Sequence, residues 1–112
     1  IIIDRIMIKS VFALIYSPVV REHLKTIERK HYSLIRKTIE EQPTYEPNVE
    51  TRNRKPPRRP ASFSAEWELR LGPDNRFRVF YEIDIEENRV LILAIGEKKG
   101  NRFYIGGEEM EV

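Results

Sequence analysis

Three β segments crowded between Trp67 and Ile95 constrain this chain more than any other feature. Trp67, Leu69 and Leu71 alternate with Glu66, Glu68 and Arg70, a period of two that predicts a strand with one buried and one wet face. Gly72-Pro73-Asp74-Asn75 has the composition of a turn. Phe77, Val79, Tyr81 and Ile83 then point one way, and Arg76, Arg78, Phe80 and Glu82 the other. Glu86-Glu87-Asn88 turns the chain again, and Val90 to Ile95 is an unbroken apolar run of the kind a central strand carries. A three-strand meander of this sort cannot stand alone, because its apolar face has to be covered.

The cover is encoded upstream. Ile6 to Tyr16 is rich in β-formers and apolar on both faces, which predicts a first strand that is itself covered. Ser17 is placed as an N-cap with Pro18 at the first helical position. Val20, Leu24, Ile27, His31, Leu34, Ile35, Thr38 and Ile39 recur at three- and four-residue steps and form one helical stripe, which Pro43 closes. One long helix and a two-helix hairpin broken near Lys30–Ser33 both satisfy this pattern, and the hairpin suits a small domain better. The expected fold class is α+β: an N-terminal strand, a two-helix hairpin and an antiparallel three-strand meander, with the helices packed on one twisted sheet. A chain of 112 residues is long enough for one modest core, so residues 1–112 are read as a single domain.

Composition removes several classes of function. The chain is 40% apolar and 34% charged, which is not the balance of a disordered segment. It has no cysteine, excluding disulfides and thiolate metal sites and remaining compatible with a reducing cytosol. The apolar start, Ile1 to Tyr16, is interrupted by Asp4, Arg5 and Lys9 and is shorter than the ~20 residues of a spanning helix. No membrane segment is expected. The chain does not begin with Met, which leaves its true N-terminus open. His23 and His31 fall on or beside the apolar stripe and read as structural. No metal-ligand set, phosphate-cradling glycine loop or Ser–His–Asp arrangement can be assembled, so no cofactor is expected.

Net charge is only +2, but its distribution is uneven. Three groups are candidates for chemistry. Arg70, Arg76 and Arg78 lie on the exposed faces of neighbouring strands, where planar guanidinium forks suit phosphate; an ordinary ion-paired sheet face is the alternative. A proline-rich loop, residues 43–62, carries Arg52, Arg54, Lys55, Arg58 and Arg59, either as a strip that tracks a phosphate backbone or as a solubilising loop. Lys98, Arg102 and Tyr104 begin a polar tail, residues 97–112, which also holds Phe103, a Gly106-Gly107 break, Glu108, Glu109 and Glu111. Lysine there can neutralise a developing charge and tyrosine can stack or pass a proton, or the segment is a frayed terminus.

Taken in order, Pro18 opening the helices, Trp67-Glu68-Leu69-Arg70-Leu71-Gly72, Arg76-Phe77-Arg78-Val79-Phe80-Tyr81 and Val90-Leu91-Ile92-Leu93-Ala94-Ile95-Gly96 with Lys98 resemble the RelE/ParE toxin superfamily. The resemblance runs from about Val11 to Tyr104. Thr51-Arg52-Asn53-Arg54-Lys55-Pro56 is similar to a loop of the branch described as cytotoxic translational repressors. It implies the toxin of a type II toxin–antitoxin system, a cytoplasmic, metal-independent endoribonuclease that cuts mRNA on the ribosome and is silenced by a cognate antitoxin. Arg78 would then contact the scissile phosphate, Lys98 would be the basic residue after the last-strand glycine, and Tyr104 would stack and transfer protons. Arg70 matches a further basic strand position. RNA would also meet Arg52, Arg54, Lys55, Arg58, Arg59, Arg76 and Arg102. The chain departs from the nuclease pattern at Glu66 and Glu68, where that pattern has lysines. A carboxylate there could act as a general base, as in some relatives, but two carboxylates facing out would repel RNA. The resemblance therefore also allows a ParE-like toxin acting on DNA gyrase, or a degenerate member that only binds its antitoxin.

Overall fold

The computed structural model describes residues 11–57 and 65–110. The chain begins with a strand, β1 (Ala13–Tyr16), followed by two helices, α1 (Val19–Lys25) and α2 (Tyr32–Glu41). Val20 N–H donates to the Ser17 carbonyl at 2.9 Å, so α1 starts one residue beyond the expected position, and the Ser17 side chain forms no cap. The helices separate earlier than Lys30–Ser33. The Thr26 hydroxyl donates to the His23 carbonyl at 2.7 Å, Ile27 turns into the core, and Glu28 is extended before a 3-10 turn over Arg29–His31. Val20, Ile27, Ile35 and Ile39 are buried as the stripe requires, whereas Leu34 stays exposed.

The meander is present and larger than three strands. A short β2 (Arg54–Lys55) precedes β3 (Trp67–Leu71), β4 (Phe77–Asp84), β5 (Arg89–Lys99), β6 (Arg102–Ile105) and β7 (Glu108–Met110). These six pair antiparallel in sequence order, and β1 joins parallel to β5. The core forms where Val20, Ile27, Ile35 and Ile39 meet Leu69, Leu71, Phe77, Val79, Tyr81, Val90, Ile92 and Ile95. A smaller apolar cluster of Ala65, Phe80, Ala94 and Phe103 lies on the opposite face. Between Phe80/Tyr81 and their partners on β5 the register slips by one residue, with Phe80 opposite Ala94 and Tyr81 opposite Ile92.

Two expectations are corrected here. β1 was expected to be covered on both faces, but Ile15 and Tyr16 are 40% and 42% exposed, because the strand occupies a margin of the sheet. The portion of that segment before Val11 lies outside the described residues. Residues 97–110 are not a polar tail: β5 continues to Lys99, and β6 and β7 extend the sheet. Gly100, Gly106 and Gly107 adopt positive φ (63°, 61° and 85°), conformations that glycine reaches without Cβ strain, and so turn the chain between these strands.

β5 has two partners along one edge. β1 takes Arg89–Ile92 and β6 takes Gly96–Lys99. In the gap between them the Ile95 N–H donates to Nδ1 of buried His23, 3.2 Å away, so α1 supplies the acceptor that no strand provides. The stretch after α2 is equally well held. Arg54 is buried and its Nη1 donates to the carbonyls of Glu46 (2.7 Å) and Gln42 (3.4 Å), while Tyr81 donates to the Pro47 carbonyl at 2.7 Å.

These two pins have measurable consequences. Arg54→Ala leaves both carbonyls without their charged donor and is expected to cost about 2–3 kcal/mol in urea denaturation, against about 1 kcal/mol for Tyr81→Phe. Nδ1 of His23 accepts only when unprotonated, and burial holds the imidazole below its ordinary value of 6.5. A depressed histidine contributes stability above the unfolded value and loses it as pH falls towards the folded one. The melting temperature should therefore drop as pH is lowered below 6.5, and His23→Gln, whose amide oxygen can accept at any pH, should flatten that slope.

Candidate nucleic-acid interface

The face of the sheet turned away from the helices gathers side chains from four strands. β3 brings Glu68 and Arg70, β4 brings Arg78, β5 brings Gly96 and Lys98, and β6 brings Phe103. Alternation and register place them together: Arg70 is opposite Arg78, Arg78 opposite Gly96, and Lys98 opposite Phe103. Two guanidinium groups directly across a ladder repel each other unless an anion lies between them. Glu68 is that anion. Its Oε1 lies 3.5 Å from Nε of Arg70 and 3.4 Å from Nε of Arg78, and its side chain is only 4% exposed.

Glu68 was expected to face outward and repel RNA. Instead it lies beneath the two arginines, whose side chains are 28% and 16% exposed, and neutralises one of their charges. Glu66 is exposed at the start of β3, and its Oε1 accepts the Ile83 N–H at 3.3 Å. Burial pushes the Arg78 guanidinium down from its ordinary value, with Glu68 opposing and Arg70 adding to that shift. The guanidinium starts so high that it keeps its charge at any working pH. Arg70, Arg78 and exposed Lys98, set against the single buried carboxylate of Glu68, make a rigid cationic surface suited to a phosphate group.

The other candidates are dispersed. Tyr104 is opposite Glu97 on β5 and Glu109 on β7, so it lies on the other face of the sheet from Arg78 and Lys98, with Lys99 Nζ 5.7 Å from its ring centre. Arg76 is held by Glu97, which is buried, through Nε at 2.8 Å and Nη2 at 2.7 Å. Arg102 pairs with Glu109 at 3.5 Å. Arg54 serves the loop and is not exposed to solvent, Lys55 is half-buried beside it, and Arg52 is exposed. Arg58 and Arg59 lie outside the described residues. Sequence reasoning passed over Phe103, whose ring underlies Arg78 at 4.8 Å; the alternation Phe103, Ile105 was the available signal. Among the described residues no three His, Asp or Glu side chains are grouped to hold a metal ion, and no helix is long and apolar enough to cross a membrane.

The shared carboxylate can be tested by stability. Glu68→Gln leaves Arg70 and Arg78 facing each other. Because both retain a route to water, the expected cost is about 1–3 kcal/mol in urea denaturation, decreasing with added salt. Replacing Arg70 by Met in the same variant should recover most of it.

No protein-family model matches the chain, and no curated protein sequence does. Among solved structures, it is similar to a chain of the toxin–antitoxin complex RelBE2 from Mycobacterium tuberculosis, at 22% identity and a TM-score of 0.63, over 79% of this chain and 92% of that one. An N-terminal strand, two helices and an antiparallel sheet extending to six strands therefore share the α+β fold of that RelBE2 chain.

Proposed function

We propose that this chain is the toxin of a type II toxin–antitoxin pair and that its Arg70–Glu68–Arg78 face, with Lys98, binds and cleaves mRNA on the ribosome. The observation that carries this reading is the pair of arginines opposite each other on the sheet, both ion-paired to one buried carboxylate, with exposed Lys98 on the same face. Metal-free RNA cleavage of this kind needs no covalent enzyme intermediate. The 2′-oxygen attacks the neighbouring phosphorus while the bond from phosphorus to the 5′-oxygen breaks, giving a cyclic phosphate and a 5′-hydroxyl. The 2′-hydroxyl proton must leave and the departing 5′-oxygen must gain one. The residues present suit the charge-bearing part of this task. Arg78 and Arg70 would face the extra negative charge that builds on the phosphate oxygens, and Lys98 would neutralise or protonate the leaving oxygen. Glu68 fixes the arginines and is the carboxylate nearest to them. Tyr104 would serve the same phosphate only with RNA wrapped around the end of the sheet at the β5–β6 turn.

A cognate antitoxin is the proposed partner, in keeping with the toxin–antitoxin complex that shares the fold. An acidic segment laid over the Arg70, Arg78 and Lys98 surface would block RNA at the same point. The cytoplasm is the compartment this role requires.

Expression without an antitoxin should arrest growth, with translated mRNA cut inside codons. Arg78→Ala should lower the cleavage rate about 10²- to 10³-fold, the usual cost of one preorganised charge stabiliser. A second reading draws on the same charge count, since one of the two arginine charges is already cancelled by Glu68. Under it the face is a protein-binding surface of a ParE-like toxin acting on gyrase, and growth arrest would come with DNA damage and intact mRNA. Tight antitoxin binding with no toxicity would identify a catalytically degenerate member.

A further inference from the structure

Arg78 lies on an aromatic platform. Its guanidinium carbon is 4.8 Å from the centre of the Phe103 ring, within the range of a cation–π contact. Phe103 is buried, and its ring meets that of Phe80 at 67° with centres 6.0 Å apart. The ring reaches this place only because residue 96 has no side chain. A Cβ on Gly96 would fall 2.3 Å from Cζ of Phe103 and 2.7 Å from the Tyr104 carbonyl oxygen, distances that real Cβ atoms do not show. Space, rather than backbone conformation, makes glycine necessary here, since Gly96 is not among the positive-φ residues. Gly96 is also the β5 partner of Arg78, so the gap, the ring and the guanidinium share one register.

We propose that Phe103 is a positioning residue for Arg78, and that Gly96 is the vacancy that admits it; this rests on the reading of the face as an RNA-cleaving site. Glu68 lies 3.4 Å from Nε of the guanidinium and holds that side of the group by charge. Phe103 lies beneath the guanidinium carbon and limits where the group can move over the ring. With both in place, the Nη1–Nη2 end of the fork is aimed before substrate arrives, and a phosphodiester meets a donor pair that needs no reorganisation. Phe103 is too deeply buried to stack on a base, so its effect passes through Arg78.

Two substitutions separate positioning from packing. Phe103→Leu keeps an apolar side chain and removes the ring. Ile105→Ala takes packing from the same apolar cluster and leaves the ring in place. Cleavage of mRNA on purified ribosomes is followed at saturation and below it, and the Arg78 Nε–Hε resonance is recorded by NMR as a direct report of the ring over the guanidinium. Phe103→Leu should lower kcat about ten- to a hundredfold with KM little changed, and should move that resonance. Gly96→Ala should do the same. Ile105→Ala should lower the melting temperature while leaving kcat and the resonance in place. An unaltered rate or unshifted resonance in Phe103→Leu, or an equal rate loss in Ile105→Ala, overturns the assignment. If the wild-type protein cleaves no RNA, the proposed function fails. The platform is then decided by the same resonance during titration with inorganic phosphate, which Phe103→Leu should bind more weakly if Phe103 orients Arg78.

Discussion

β5 shares one edge with β4 along its length and divides the other between β1 and β6. A strand whose edge changes partner has a point where no neighbour can supply the next acceptor, and a buried N–H left there would cost a full desolvation penalty. His23 meets that requirement from α1, which ties the helix to the middle of the sheet. The turn between β6 and β7 lies against the same imidazole, since a Cβ on Gly106 would be 3.1 Å from its Cδ2. One histidine thus connects the helical layer, the central strand and the C-terminal pair of strands.

The division of labour between the sheet faces follows from strand alternation. Residues on the helix side fill the core, and those on the other side are Glu68, Arg70, Arg78, Lys98 and Phe103. That face is not open charge. It has its own apolar floor of Ala65, Phe80, Ala94 and Phe103, on which Arg78 rests. Rigidity comes from that floor and from Glu68, so the cationic groups are held by a sheet rather than by a loop. Arg54, on the short β2, met the opposite fate, because its guanidinium was needed to satisfy carbonyls left behind by a proline-rich stretch.

The meander, the helical stripe and the inward face of β3 and β4 were legible because period-two and period-3.6 patterns report burial directly. Arg70 and Arg78 were legible as a pair for the same reason. The burial of Glu68 was not, since a carboxylate at an outward position looks solvated until its two neighbours are placed. β6 and β7 were hidden because they are short and rich in charge, so the spacing of Gly100, Gly106 and Gly107 was their only strong punctuation. The covered first strand was misjudged because an apolar segment does not reveal whether it sits at the centre or the margin of a sheet.

By itself, then, the sequence determined the α+β class, the apolar faces and the set of cationic residues from which a site could be built. Local periodicity carries that information, because each pattern depends only on residues a few positions apart. Tertiary structure decided which of those residues share a surface. It joined Arg70, Arg78 and Lys98 on one face, set Phe103 beneath Arg78 and sent Tyr104 to the far side. Those outcomes turn on cross-strand register between residues far apart in sequence, such as Arg78 and Phe103, twenty-five positions apart, and a shift of a single residue would reverse the face of every side chain in the strand.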